Sequence, residues 1–156
     1  MPLILPKLGV YTLEEKRSRF LAYCAPAASE EEARQVIERI RVEHKGASHH
    51  VYAYSLPCNT IRFSDDGEPQ GTAGLPVLAV FQKTGVVDFV CVVTRYFGGT
   101  LLGAGGLVRA YTKAALILPV FLCSFFAKNA SQKKSALEQK VKRNAQQDLR
   151  NDVGRG

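Results

Sequence analysis

The segment from Val90 to Tyr111, VCVVTRYFGGTLLGAGGLVRAY, constrains this chain more than any other. Val86 to Phe97 is a mostly apolar run without in–out alternation, the pattern of a central strand covered on both faces. Gly98-Gly99 breaks the run, and Gly103, Gly105 and Gly106 form a second glycine cluster. From Gly105 to Leu118, helical spacing places Leu107, Tyr111, Ala114 and Leu118 inward and Arg109 and Lys113 together on the outer face. The segment therefore reads as a buried strand, a glycine-rich turn and a helix. Glycine permits positive φ or a close backbone approach there, and free N–H groups at a helix start favour anions. An equally good account is a tight crossover in which glycine only relieves crowding. The spacing is neither a phosphate loop with its Lys-Ser/Thr nor a dinucleotide GxGxxG with its later acidic residue, so no nucleotide cofactor is expected.

Residues 9–15 and 18–26 read as two strands with their turn in the charged Glu14–Arg19 stretch. Ser29-Glu30-Glu31-Glu32 is a capping box, opening a helix with Ala33, Val36, Ile37 and Ile40 on one face and an end near Gly46. His49 to Leu56 alternates as a strand, residues 57–60 turn, and a short strand follows around Ile61–Ser64. Asp65 to Gly71 has loop chemistry throughout. Residues 72–83 predict a short helix, apolar nearly all round and hence buried, with Pro76 tolerable only in the first turn. The order ββαββαβα gives an α+β sheet with helices mainly on one face.

The formal net charge of +7 invites a nucleic-acid reading, but it is unevenly spread. Residues 119–156 hold eight Lys/Arg against three Asp/Glu, a net of +5, while residues 1–118 hold thirteen against eleven. The expected organisation is one domain over 1–118 and a basic tail over 119–156. Leu137, Val141 and Leu149 are too sparse in that tail for a packing stripe, so it reads as weakly helical or disordered. Cys24, Cys58, Cys91 and Cys123 stand singly, a usage that suits a reducing compartment, and the cytoplasm is the expected location. The apolar run Ala114–Ala127 contains Pro119 and falls short of the roughly twenty residues a bilayer requires, so no membrane span is expected.

Three constellations bear on chemistry. Asp65, Asp66 and Glu68, with His49 and His50, present oxygen and imidazole ligand types. The same SDDGEP stretch is also an ordinary turn, and adjacent strand histidines point to opposite faces, so no metal is expected. Ser64, Thr72 or Cys91 would need a histidine base as nucleophiles, but no GxSxG elbow is present, and no catalytic residue is assigned. Third, Arg95, Tyr96, Phe97 and the glycines 98, 99, 103, 105 and 106, with Arg109 and Lys113, combine cations, rings and free N–H groups, as single-stranded nucleic-acid sites do. In the alternative, Tyr96 and Phe97 complete the core and Arg95 pairs with Asp65, Asp66 or Glu68.

Arg95-Tyr96-Phe97-Gly98-Gly99, Leu102-Gly103 and Gly105-Gly106-Leu107-Val108-Arg109-Ala110-Tyr111 resemble the signature of the IMPACT/YigZ family. Phe63-Ser64-Asp65-Asp66-Gly67-Glu68-Pro69 with Gly71-Thr72-Ala73-Gly74 resembles its second motif; Lys16, Ser18-Arg19-Phe20 and His49-His50 resemble its first. The resemblance covers about residues 8–118. It implies a fold similar to the second domain of a small-subunit ribosomal protein and to domain IV of elongation factor G, and a role in regulating translation. Bacterial members usually continue into a ferredoxin-like domain, which residues 119–156 do not resemble. The expected function is a translation-linked module binding RNA, the ribosome or a translation-associated protein rather than an enzyme. A metal-assisted hydrolase using the Asp65–Glu68 loop, or a pure protein adaptor, is the alternative.

Overall fold

The computed structural model describes residues 3–4, 9–116, 138–140 and 143. Along the described chain run β1 (Leu3–Ile4), β2 (Gly9–Glu15), β3 (Ser18–Pro26), α1 (Glu30–Glu43), β4 (His49–Leu56), β5 (Thr60–Ser64), α2 (Gly74–Thr84), β6 (Val86–Val87), β7 (Phe89–Tyr96) and α3 (residues 103–116). The main sheet has the order β2-β3-β7-β4-β5 with every pairing antiparallel, and β1 pairs β6 in parallel beside it. The unalternating run is the central strand, with Phe89 through Arg95 all buried. The chain divides into two units, Met1–Val120 and Phe121–Gly156; in the second, residues 138–140 and 143 are helical. The expectations for the rest of the tail, and for Leu118, fall outside the described residues.

Strand alternation sorts the core into two layers. Val90 and Val92 of β7 lie opposite Ala25 and Tyr23 on β3 and Tyr54 and Tyr52 on β4, and this face packs on Ala33, Ile37 and Ile40 of α1. The other face carries Phe20, Ala22 and Cys24 of β3, Cys91 and Val93 of β7, and Val51 and Ala53 of β4. It is covered by α2 and α3: Phe81 stacks on Phe89 at 4.0 Å, and Tyr111 meets Phe20 edge-on at 5.1 Å. Full burial of each such ring contributes about 1.5–3 kcal/mol. Within the first unit α2 and α3 thus share one face and α1 takes the other, because a centre apolar on both sides needs cover on both.

The capping box starts α1: Ser29 Oγ accepts the Glu32 N–H at 3.2 Å, and Glu32 Oε2 accepts the Ala28 N–H at 2.8 Å. The helix gives way at its cap residue His44, just before Gly46. α2 starts with Pro76 in its first turn and ends on Gly85, whose φ is 71°. Its N-cap, Ala73, has no side chain to cap with, and the cap comes from Asp65. Against expectation α2 is buried on one side only: Val77, Leu78, Val80 and Phe81 are covered, but Leu75 is 48% exposed. The sheet shields only the flank that faces it. α3 begins at Gly103, two residues before the spacing indicated, burying Leu107, Ala110, Tyr111 and Ala114.

Candidate functional site

At the end of β7, Arg95 stands across from Phe20 on β3 and His49 on β4, on the face covered by α2 and α3. It is only 4% exposed. Its guanidinium donates to Glu68 Oε1 at 2.7 Å and Ser18 Oγ at 3.3 Å. The Tyr111 hydroxyl donates to the same Glu68 oxygen at 2.7 Å, and His49 Nε2 lies 3.7 Å from Oε2. A buried carboxylate is tolerable only with such charge-assisted partners. Burial first, and then the Glu68 charge, hold the Tyr111 hydroxyl far above its usual range.

The acidic loop serves the same end of the sheet. Asp65 accepts the N–H groups of Gly71, Ala73 and Gly74 at 2.9, 3.2 and 2.8 Å, capping α2. Asp66 meets Arg41 at 3.4 Å and accepts the His50 N–H at 2.7 Å, and its carbonyl accepts from His49 Nδ1 at 2.8 Å. Asp66 and Gly67 hold φ of 44° and 86°, conformations that Asp and Gly tolerate best. All three carboxylates therefore face donors of the protein itself. Among the described residues no group of three His, Cys, Asp or Glu is placed to hold a metal ion.

The nucleophile candidates have structural partners. Ser64 Oγ accepts the Asp66 N–H at 3.1 Å, and Thr72 Oγ1 donates to the Pro69 carbonyl at 2.6 Å. Cys91 is buried opposite Cys24, and burial pushes the Cys24 thiol well above its usual value. His50 turns to the α1 face, 3.2 Å from Thr94 Oγ1; burial lowers its imidazole against the opposing pull of Asp66.

The outward surface of this end is cationic. Lys16 and Arg17 form the β2–β3 turn, with φ of 45° and 66°. This turn lies so close to Gly98 that a Cβ there would overlap the Arg17 carbonyl. Lys113 Nζ stands 3.8 Å from Glu15 Oε2, bringing α3 alongside the same turn. Arg109 folds back along α3, its Nη1 3.3 Å from where a Gly105 Cβ would stand. Lys16, Arg17, Arg109 and Lys113 are all exposed, and residues 97–116 contain no acidic residue. Gly99 and Gly103 hold φ of 86° and 73°, whereas Gly105 and Gly106 sit within the helix and leave room for Arg109 and Leu102.

Tyr96 and Phe97 part company. Tyr96 faces α1, with Arg19 over its ring at 4.8 Å and His44 Nδ1 at 2.7 Å from its hydroxyl. Phe97 points outward and is 47% exposed. Arg95 follows the alternative reading, the pairing with Glu68: the pleat of β7 directs it inward, and the placement of Arg95 on one surface with Arg109 and Lys113 is corrected. Ser18, Tyr111 and the Lys16–Arg17 turn are the residues that spacing missed. Lys16, Ser18 and Tyr111 lie in the family-like motifs, and the turn itself was legible in the charged Glu14–Arg19 stretch, but nothing in the spacing tied these residues to this end of the sheet.

The fold and this end of it define a small α+β domain whose cationic glycine turn is held from beneath by a buried Arg–Glu–Tyr cluster. Residues 16–118 match the Impact N-terminal domain, and the chain belongs to that family. It is 45% identical over 113 residues to IMPACT family member YigZ of Escherichia coli, covering 69% of this chain and 55% of that protein. It is 44% identical over 108 residues to IMPACT family member YvyE of Bacillus subtilis, covering 68% and 50%. A crystal structure described as that of a hypothetical protein aligns with a TM-score of 0.71 at 42% identity, over 73% of this chain and 57% of that one. The chain thus spans about half the length of these relatives. Among the described residues no helix is long and apolar enough to cross a membrane.

Proposed function

We propose that this chain is a translation-linked regulatory module that binds RNA, free or on the ribosome, through the surface around its glycine turn. The link to translation rests on the resemblance to the IMPACT family. The RNA reading rests on one observation: Lys16, Arg17, Arg109 and Lys113 gather from distant parts of the chain around a glycine turn that holds no acidic residue of its own, with Glu15 pairing only Lys113. Clustered cations of this kind are the electrostatic footprint of a phosphate-binding face. The hydrolase alternative draws no support from the acidic loop, whose carboxylates are engaged by Arg41, Arg95 and backbone N–H groups.

Crosslinking in cells followed by sequencing of bound RNA tests the reading. Enrichment of ribosomal or transfer RNA is expected, and an empty library refutes it in favour of a protein adaptor. In vitro, Arg109→Ala with Lys113→Ala should weaken RNA binding with little loss of stability. Each lost phosphate contact lowers the salt slope by about one unit.

A further inference from the structure

We infer that the ligand of this surface is unpaired RNA and that Phe97 is the platform on which one of its bases stacks; the inference rests on the RNA reading above. Phe97 is a large apolar ring left 47% exposed at the mouth of the glycine turn. Its N–H donates to Ser48 Oγ at 3.1 Å. The buried Arg95 guanidinium lies 5.5 Å from its ring centroid and equally far from that of Phe20. That guanidinium is itself clamped by Glu68 and Ser18. A buried cation thus backs one side of an aromatic ring that keeps about half of its surface in solvent.

The surroundings suit a base and its phosphates. Gly98 and Gly99 follow directly and place no side chain beside the ring, while Arg17, Arg109 and Lys113 supply cations nearby. Bases in a duplex are already stacked on one another; only an unpaired base offers a free face to an aromatic side chain. Tyr96, the adjacent aromatic, is not such a platform, because Arg19 lies over its ring and its hydroxyl is bonded to His44.

The test is fluorescence anisotropy with the full chain. The probes are a labelled oligouridine of about a dozen nucleotides, within the usual reach of such sites, and an RNA duplex of matched length. The single strand should bind more tightly than the duplex. Phe97→Leu should weaken single-strand binding roughly 5- to 150-fold, the loss of one stacked base. It should leave the salt slope unchanged, since stacking is not ionic, and lower the melting temperature only slightly, since leucine keeps most of the apolar contact of a half-exposed side chain. Phe97→Trp should retain binding. If strand and duplex bind equally, or Phe97→Leu binds as wild type while Arg109→Ala loses affinity, the stacking platform is refuted and the phosphate-binding surface stands. If the wild type binds neither probe, the RNA reading falls and this inference with it.

Discussion

Replacing Glu68 by Ala strands several groups at once, and the size of the loss follows from their burial. The Glu68 and Arg95 side chains are 3% and 5% exposed, so water cannot stand in for the missing carboxylate. Arg95 would keep only the Ser18 hydroxyl, and Tyr111 would lose its acceptor. Removing one partner of a buried ion pair costs about 3–5 kcal/mol, and an orphaned hydroxyl adds about 1 kcal/mol or more. Against a typical domain stability of about 5–15 kcal/mol, the variant would be close to unfolding. Urea denaturation followed by far-ultraviolet circular dichroism measures this on wild type, Glu68→Ala, Arg95→Met and the double variant. Glu68→Gln keeps an acceptor for Tyr111 and should fall between wild type and Glu68→Ala. The double variant should be more stable than Glu68→Ala alone, because it buries no unpartnered charge. A Glu68→Ala protein within about 1 kcal/mol of wild type, below the cost of breaking a buried pair, would refute this account, as would strictly additive effects in the double variant.

The glycines of the turn should divide by thermal melting. Gly98→Ala, which drives a methyl into the Arg17 carbonyl, should lower stability, whereas Gly105→Ala, which meets only the end of the Arg109 side chain, should be neutral or gain up to about 1 kcal/mol; equal effects would contradict the geometry. Asp65→Ala should lose about 0.5–2 kcal/mol through the uncapped start of α2. Melting in EDTA and then in excess Mg²⁺, Mn²⁺ or Zn²⁺ should give one midpoint, and a metal-specific rise abolished by Asp65→Asn would show that this carboxylate serves an ion instead. Because the Tyr111 ionisation is raised in the folded state, its contribution is complete below about pH 10 and declines above it, by up to about 1.4 kcal/mol per pH unit. Tyr111→Phe should flatten that alkaline decline. His50 is shifted the other way, so its contribution is present above about pH 6.5 and is lost as the pH falls below it; an acid limb unchanged in His50→Gln would exclude it as the source.

What was legible in the chain was what neighbouring residues impose on one another. The unalternating run of β7, the capping box of α1, the helical spacing of α3 and the loop chemistry of residues 65–71 are all local patterns, and each element formed close to where its pattern lay. The α+β class followed from their order. The same local rules called for cover on both faces of β7 and placed Arg109 and Lys113 together on the exposed side of α3. Tertiary structure alone decided which distant groups met. Arg95, for which the sequence left Asp65, Asp66 and Glu68 open, found Glu68 27 residues away, because the turn after β5 folds back over the end of the sheet. Asp65 capped a helix beginning nine residues later, a distance outside any capping motif. Lys113 came beside Glu15, and Gly98 against Arg17, only because α3 returns across the β2–β3 turn. The separate fates of Tyr96 and Phe97 depended on what met each ring: Arg19 and His44 close over Tyr96, whereas Phe97, past the end of β7, has Arg95 on one side and stays half exposed. Local propensity acts between residues a few positions apart and leaves a periodic trace in the sequence. Long-range partnership is set by sheet order and helix return, and it leaves none.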